Sequence, residues 1–253
     1  MSAAVLTAPT FERPGLGRLT RVELRKMTDT RSGFWLLAAT ALITVAAAVV
    51  AVLVFRDADS TLVNFTAVAM TPPSLLMPVA GILLVTSEWS QRTAMITFAL
   101  VPQRWRVLVA KLLAGLVLAL VALAVGMVVA LIATAVAGAD EPGTWSMSAG
   151  LVGQAVISVT VPMLIGVAFG AVLLASAPAI VLYYLLPTVW SALGSIPALE
   201  GPARWLDTSR TMMRLIEYEL SATEWARLGT SLALWLLLPL VLGFWRVLRS
   251  DVR

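Results

Sequence analysis

The 253-residue chain has no histidine and no cysteine, and only 13% of its residues are charged. Without histidine there is no imidazole base or metal ligand, which excludes histidine-dependent proteolysis, and no other metal-ligating cluster is visible. Without cysteine there is no disulfide framework, and the redox compartment stays open. No Gly-x-x-x-x-Gly-Lys-Ser/Thr occurs, so the chain lacks the usual loop that cradles ATP phosphates. Ionisable residues are missing from the middle of the long apolar runs, where ion-driven transporters keep a group to bind and release the ion. An enzyme reading is left with almost nothing, and metal and catalytic residues are expected to be absent.

What the chain has is apolar sequence, 60% by residue. Six runs, at about 33–55, 62–87, 107–137, 149–175, 179–198 and 228–247, each approach or exceed the roughly 20 residues that cross a bilayer as a helix. Only helices or closed barrels satisfy every backbone polar group in lipid, and unbroken runs of this length fit the helix. The fold class expected is an all-α membrane protein with six transmembrane helices in one domain over 16–249, without internal repeats. Residues 1–15 are expected to be disordered, and 250–253 to form a tail. No segment before residue 33 is apolar enough for a cleaved signal, so the first span is expected to direct insertion.

Thirteen of the eighteen basic residues fall in the N-terminal segment, the 88–111 loop or the C-terminal end. That bias predicts both termini on the cytoplasmic side. The exceptions are Arg56, Arg204, Arg210, Arg214 and Arg227, which would face outward. The sequence pI near 10.1 does not imply a nucleic-acid partner, because the basic residues flank spans.

Residues 16–31 read as an interfacial amphipathic helix, with Leu16, Leu19, Leu24 and Met27 on one side and Arg18, Arg21 and Arg25 on the other. Such a helix can be a topology anchor or can dock a partner. Thr71, Pro72, Pro73 and Pro78 lie mid-span and predict a kink. Ser176 to Pro178 reads as a tight turn. Between the last two spans, Asp207 or Thr208 can cap a short helix bearing Met212, Ile216 and Leu220, and Ser221 with Glu224 forms a capping box, stapled by Leu220 and Trp225. This stretch can act as a gate or simply close the outer face.

The loop after the second span runs Glu88, Trp89, Ser90, Gln91, Arg92, Thr93, then Leu100, Pro102, Arg104 and Lys111. Its apolar middle, 94–100, is too short to cross a membrane and predicts a short helix beneath it. Exposed Met95, Ile96, Phe98 and Leu100 would form an apolar patch that needs a cover. Glu88 and Arg92, four apart, can alternatively pair on a helix face, and Arg104, Arg106 and Lys111 can simply enforce topology.

In this order of Glu, aromatic, Thr, Leu, Pro-x-Arg and Lys, the chain resembles the permease subunits of the type-2 ABC exporter family; Arg92 stands where that family usually has Gly. The ending, with Trp235, Pro239, Gly243, Arg246 and Asp251, is similar as well. The resemblance covers nearly the whole chain. It implies that residues 88–104 form a coupling helix gripped by an ATPase subunit, with Glu88, Trp89, Arg92, Thr93, Met95, Ile96, Phe98, Leu100, Pro102 and Arg104 as the contact set. It further implies two ATPase copies carrying the ATP and Mg, no cofactor on this chain, and a second permease copy, identical or related. An abundance of alanine and of arginine over lysine suggests a GC-rich bacterial genome, hence a bacterial cell membrane.

For a cargo route, the polar and aromatic residues of the second and fifth spans are the candidates: Thr71, Ser74, Met77, Tyr183, Tyr184, Thr188, Trp190 and Ser191. They can equally be helix contacts and interface aromatics. An uncharged wall suits hydrophobic or amphipathic cargo. The rival readings are a non-transporting anchor or assembly subunit and, more weakly, a channel.

Overall fold

The computed structural model describes residues 14–55, 60–137, 142–215 and 218–249. The expected disordered N-terminus up to residue 13, most of the loop after the first span, Ile216 and the 250–253 tail lie outside the described residues. All regular structure among the described residues is helical: α1 (Leu16–Asp29), α2 (Arg31–Val54), α3 (Leu62–Ser90), α4 (Ala94–Leu100), α5 (Arg104–Ala137), α6 (Ala149–Leu173), α7 (Ser176–Leu193), α8 (Glu200–Leu206), α9 (Thr208–Arg214), α10 (Ala222–Leu232) and α11 (Leu238–Arg249). A π-helical turn at Ala233–Leu237 joins the last two into one rod. Among the described residues, six helices are long and apolar enough to span a membrane: α2, α3, α5, α6, α7 and the α10–α11 rod.

Burial separates the centre of the bundle from its rim. The most apolar windows of α3 and α6 are 61% and 72% buried, while that of α7 is 6% buried, so α3 and α6 form the axis. Small residues let their backbones approach, as membrane helices without a hydrophobic driving force require. A Cβ on Gly166 would lie 2.2 Å from the Pro78 carbonyl oxygen, and one on Gly81 would lie 2.4 Å from that of Met163. Met70, Met77, Leu84, Val159, Met163 and Val167 complete this core. Helix α3 continues through Pro72, Pro73 and Pro78.

The turn between α6 and α7 comes earlier than its proline suggested. Leu174 adopts φ 55° and ends α6, Ala175 is extended, and α7 starts at Ser176. Pro178 therefore sits in the first turn of α7, where its missing N–H has no helical partner to lose.

Helix α1 packs on the bundle with Met27 buried and Arg18, Arg21 and Arg25 exposed. Its buried face also holds Glu23, which no apolar stripe would announce. At the opposite end, Asp207 caps α9 through Ser209 N at 3.0 Å and Arg210 N at 3.3 Å. Helix α9 stops at Arg214, so Leu220 falls in the connection to α10 rather than on the expected helix. The Ser221–Glu224 capping box is formed. Buried Gln154 of α6 anchors that connection, donating to the Leu215 and Tyr218 carbonyls at 2.8 Å and accepting from Leu220 N at 3.0 Å.

Candidate functional sites: a charged ring over a short helix, and an uncharged cleft

At the end of the bundle where α1 and the end of α11 lie, four charges from three helices close a ring. Lys111 of α5 donates to Glu23 of α1 at 2.6 Å and to the Leu84 carbonyl at 2.8 Å, and lies 3.2 Å from Glu88 of α3. Lys26 of α1 closes the ring with Glu23 at 2.7 Å and Glu88 at 2.5 Å. Signs alternate and the net charge is zero. Glu23, Glu88 and Lys111 are all at most 5% exposed, a burial that charges tolerate only when paired and hydrogen-bonded. Burial pulls the Lys26 ammonium down, but the charge and hydrogen bonds of Glu23 and Glu88 outweigh it and leave its pKa above the ordinary lysine value.

The ring reaches α4 through Thr97, whose hydroxyl donates to Glu88 at 3.0 Å. Glu88 thus faces Lys26 and Lys111 rather than Arg92. Arg92 itself occupies the left-handed region at φ 57°. There the Thr93 N–H bonds the Glu88 carbonyl at 2.9 Å and the Arg92 N–H bonds that of Trp89 at 3.2 Å, the paired bonds of a Schellman helix end. This position favours glycine, so the departure at Arg92 leaves the turn's geometry intact while adding strain to it.

Helix α4 has two faces. Ala94 is buried, and Phe98 packs on the core, with the Trp89 ring centroid at 6.2 Å and the Arg104 guanidinium 5.1 Å from its own centroid. Met95, Ile96 and Leu100 point away, 52%, 62% and 74% exposed. Phe98 therefore leaves the apolar patch the sequence suggested, because it serves as the wedge that seats the helix. Thr93 is half-buried and Pro102 exposed. Arg104 donates to the Val247 carbonyl at 3.1 Å, covering the end of α11.

Nearer the other end, a cleft of about 450 Å³ opens between α3, α6, α7 and α9, within the size range of small-molecule sites. Thr71, Ser74, Tyr183, Tyr184 and Thr188 line it. Met77 does not, being 1% exposed in the α3–α6 core. It stands roughly 100° round the helix from the cleft-facing row, so the helical wheel assigns it to the core. Trp190 and Ser191 lie further along α7 than the lining residues. Ser158, Phe169, Thr208, Met212 and Trp235 join the wall unforeseen, because tertiary folding brings them from other helices. No lining side chain is charged. Thr71, Ser74, Ser158 and Thr188 donate to backbone carbonyls of their own helices, which leaves oxygen lone pairs for a ligand. The Tyr184 hydroxyl reaches across to the Leu75 carbonyl.

No family model and no curated protein matches the chain.

Proposed function

We propose that this chain is the membrane-spanning permease subunit of a type-2 ABC exporter. It would move hydrophobic or amphipathic molecules out of a bacterial cell, across a membrane in which both termini are cytoplasmic. The observation that carries this reading is the division of α4. One face is fixed to the bundle by Ala94, Phe98 and the Thr97–Glu88 bond, and the other offers Met95, Ile96 and Leu100. A seven-residue helix has little stability of its own in water, so these contacts hold it as a rigid foot. Exposed apolar side chains at a membrane surface fit a partner's groove.

In the proposed mechanism, an ATPase pair carrying ATP and Mg closes on this foot in two permease copies. Displacement of α4 passes through Thr97 and Glu88 into α1, α3 and α5 together, because the ring makes their ends one body. Helix α3 also forms a wall of the cleft, so the same motion changes access to it. The cleft's hydroxyls and aromatic rings would hold an uncharged or amphipathic cargo without the cost of burying unpaired charge.

The test is to co-express the chain with its candidate ATPase, reconstitute the complex and measure cargo-stimulated ATP hydrolysis and efflux. Ile96→Glu should leave the permease folded yet abolish efflux coupled to hydrolysis. Unimpaired efflux by that variant, or efflux by the chain without any ATPase, would contradict the proposal. A non-transporting anchor would keep the partner bound but show no cargo dependence, and the cleft favours the transporter.

A further inference from the structure

At the end of the bundle away from α1 and the end of α11, four of the five arginines that depart from the basic bias come together. Arg204 of α8, Arg210 and Arg214 of α9, and Arg227 of α10 surround one concavity of about 330 Å³, whose wall is completed by Thr211 and Glu224. Three of these arginines already have carboxylate partners: Arg204 with Glu200 at 2.5 Å, Arg210 with Asp207 at 3.2 Å, and Arg214 with Glu224 at 2.8 Å. Arg227 has none among the described residues. Its guanidinium lies 5.8 Å from the Trp205 ring centroid, and its Nε is buried with no hydrogen-bond partner.

Each neighbouring acid is already paired with one of these arginines. Glu224 takes Arg214 and Tyr218 on one oxygen and the backbone and hydroxyl of Ser221 on the other. Asp207 caps the start of α9 through Oδ1, while Oδ2 pairs with Arg210 without a hydrogen bond. The lining side chains themselves carry four positive charges and one negative. Guanidinium forks match the oxygens of a tetrahedral anion, and that of Arg227 has no carboxylate to pair with among the described residues.

We propose that this concavity is a phosphate-binding site, taking the phosphate of an anionic lipid headgroup or of a soluble phosphorylated molecule. Arg227 supplies a guanidinium that no carboxylate occupies, and Arg204, Arg210 and Arg214 line the same concavity. Exposed Trp205 of α8 and Trp225 of α10 provide apolar surface on which an acyl chain can lie. The inference does not depend on the exporter reading, since it uses neither α4 nor the cleft.

The experiment takes the full chain in phosphatidylcholine nanodiscs. Retained phosphatidylglycerol is counted by native mass spectrometry, and inorganic phosphate is titrated calorimetrically. Arg227→Gln should weaken binding about tenfold and Arg214→Gln/Arg227→Gln should abolish it, whereas Arg18→Gln at the other end should bind like the parent. Phosphatidylglycerol held against excess inorganic phosphate identifies the lipid; saturation by phosphate that displaces it identifies a soluble ligand. No binding of either, or equal losses in the Arg18 and Arg227 variants, would overturn the site. Should Arg227→Gln not fold, Arg227→Lys keeps the charge and removes the guanidinium fork, and binding as tight as the parent's would overturn it too.

Discussion

Lys111 is the residue on which most of the terminus-bearing end depends. Its ammonium donates to Glu23 and the Leu84 carbonyl and pairs with Glu88, at 3% exposure. Removing it leaves two buried carboxylates sharing one half-exposed lysine. Lys111→Met should therefore destabilise the protein by about 3–5 kcal/mol, measured as thermal or denaturant unfolding in micelles. Glu23→Gln added to it should recover part of that loss, because Lys26 and Glu88 then remain as a neutral pair; strictly additive losses would contradict a ring. Lys26 makes a pH prediction. Its folded pKa is raised above the ordinary 10.5, so its contribution is complete at neutral pH and disappears as pH climbs beyond that value. Unfolding midpoints should hold steady from about pH 7 to 10 and fall above, and the alkaline fall should be smaller in Lys26→Met.

At the scale of elements, the short helix after the second span shows what a sequence can and cannot announce. Its span of 94–100 is legible because a brief apolar run ends before Pro102, and the observed helix covers those residues. Which of its side chains face the bundle is not legible, since Phe98 turns inward to meet the core, Trp89 and Arg104. The ring above it is hidden for the same reason. Glu23 and Lys111 stand 88 positions apart, and only the packing of α1 on α5 makes them partners. In α1 the arginine face and apolar face read correctly, while a buried glutamate among the apolar residues does not. The turn that sets the direction of α4 carries its own prediction. Arg92 holds a left-handed conformation that glycine adopts without strain, so Arg92→Gly should be neutral or up to about 1 kcal/mol stabilising by thermal unfolding. A clear loss of stability would mean that the Arg92 side chain makes contacts beyond the turn.

Over the whole molecule, six spans are legible from apolar length alone, because lipid forces each run to satisfy its own backbone. Their arrangement is not. Hydropathy treats α3 and the α10–α11 rod alike, yet one is on the axis and the other at the rim, a difference made by Gly166, Gly81 and the methionines between α3 and α6. The cleft follows from that arrangement, which is why the α3 and α7 liners could be named and those from α6, α9 and the π-helical turn could not.

The proposal that α4 is a foot moved by an ATPase is tested most directly by a single cysteine at Ile96, which needs no background removed because the chain has none. In intact cells, Ile96→Cys should resist a membrane-impermeant thiol reagent added from outside. In membranes containing the candidate ATPase, it should cross-link to that subunit, with a yield that changes when a non-hydrolysable ATP analogue is added. Labelling from outside, or no cross-link to any ATPase that co-purifies with the chain, would contradict the account.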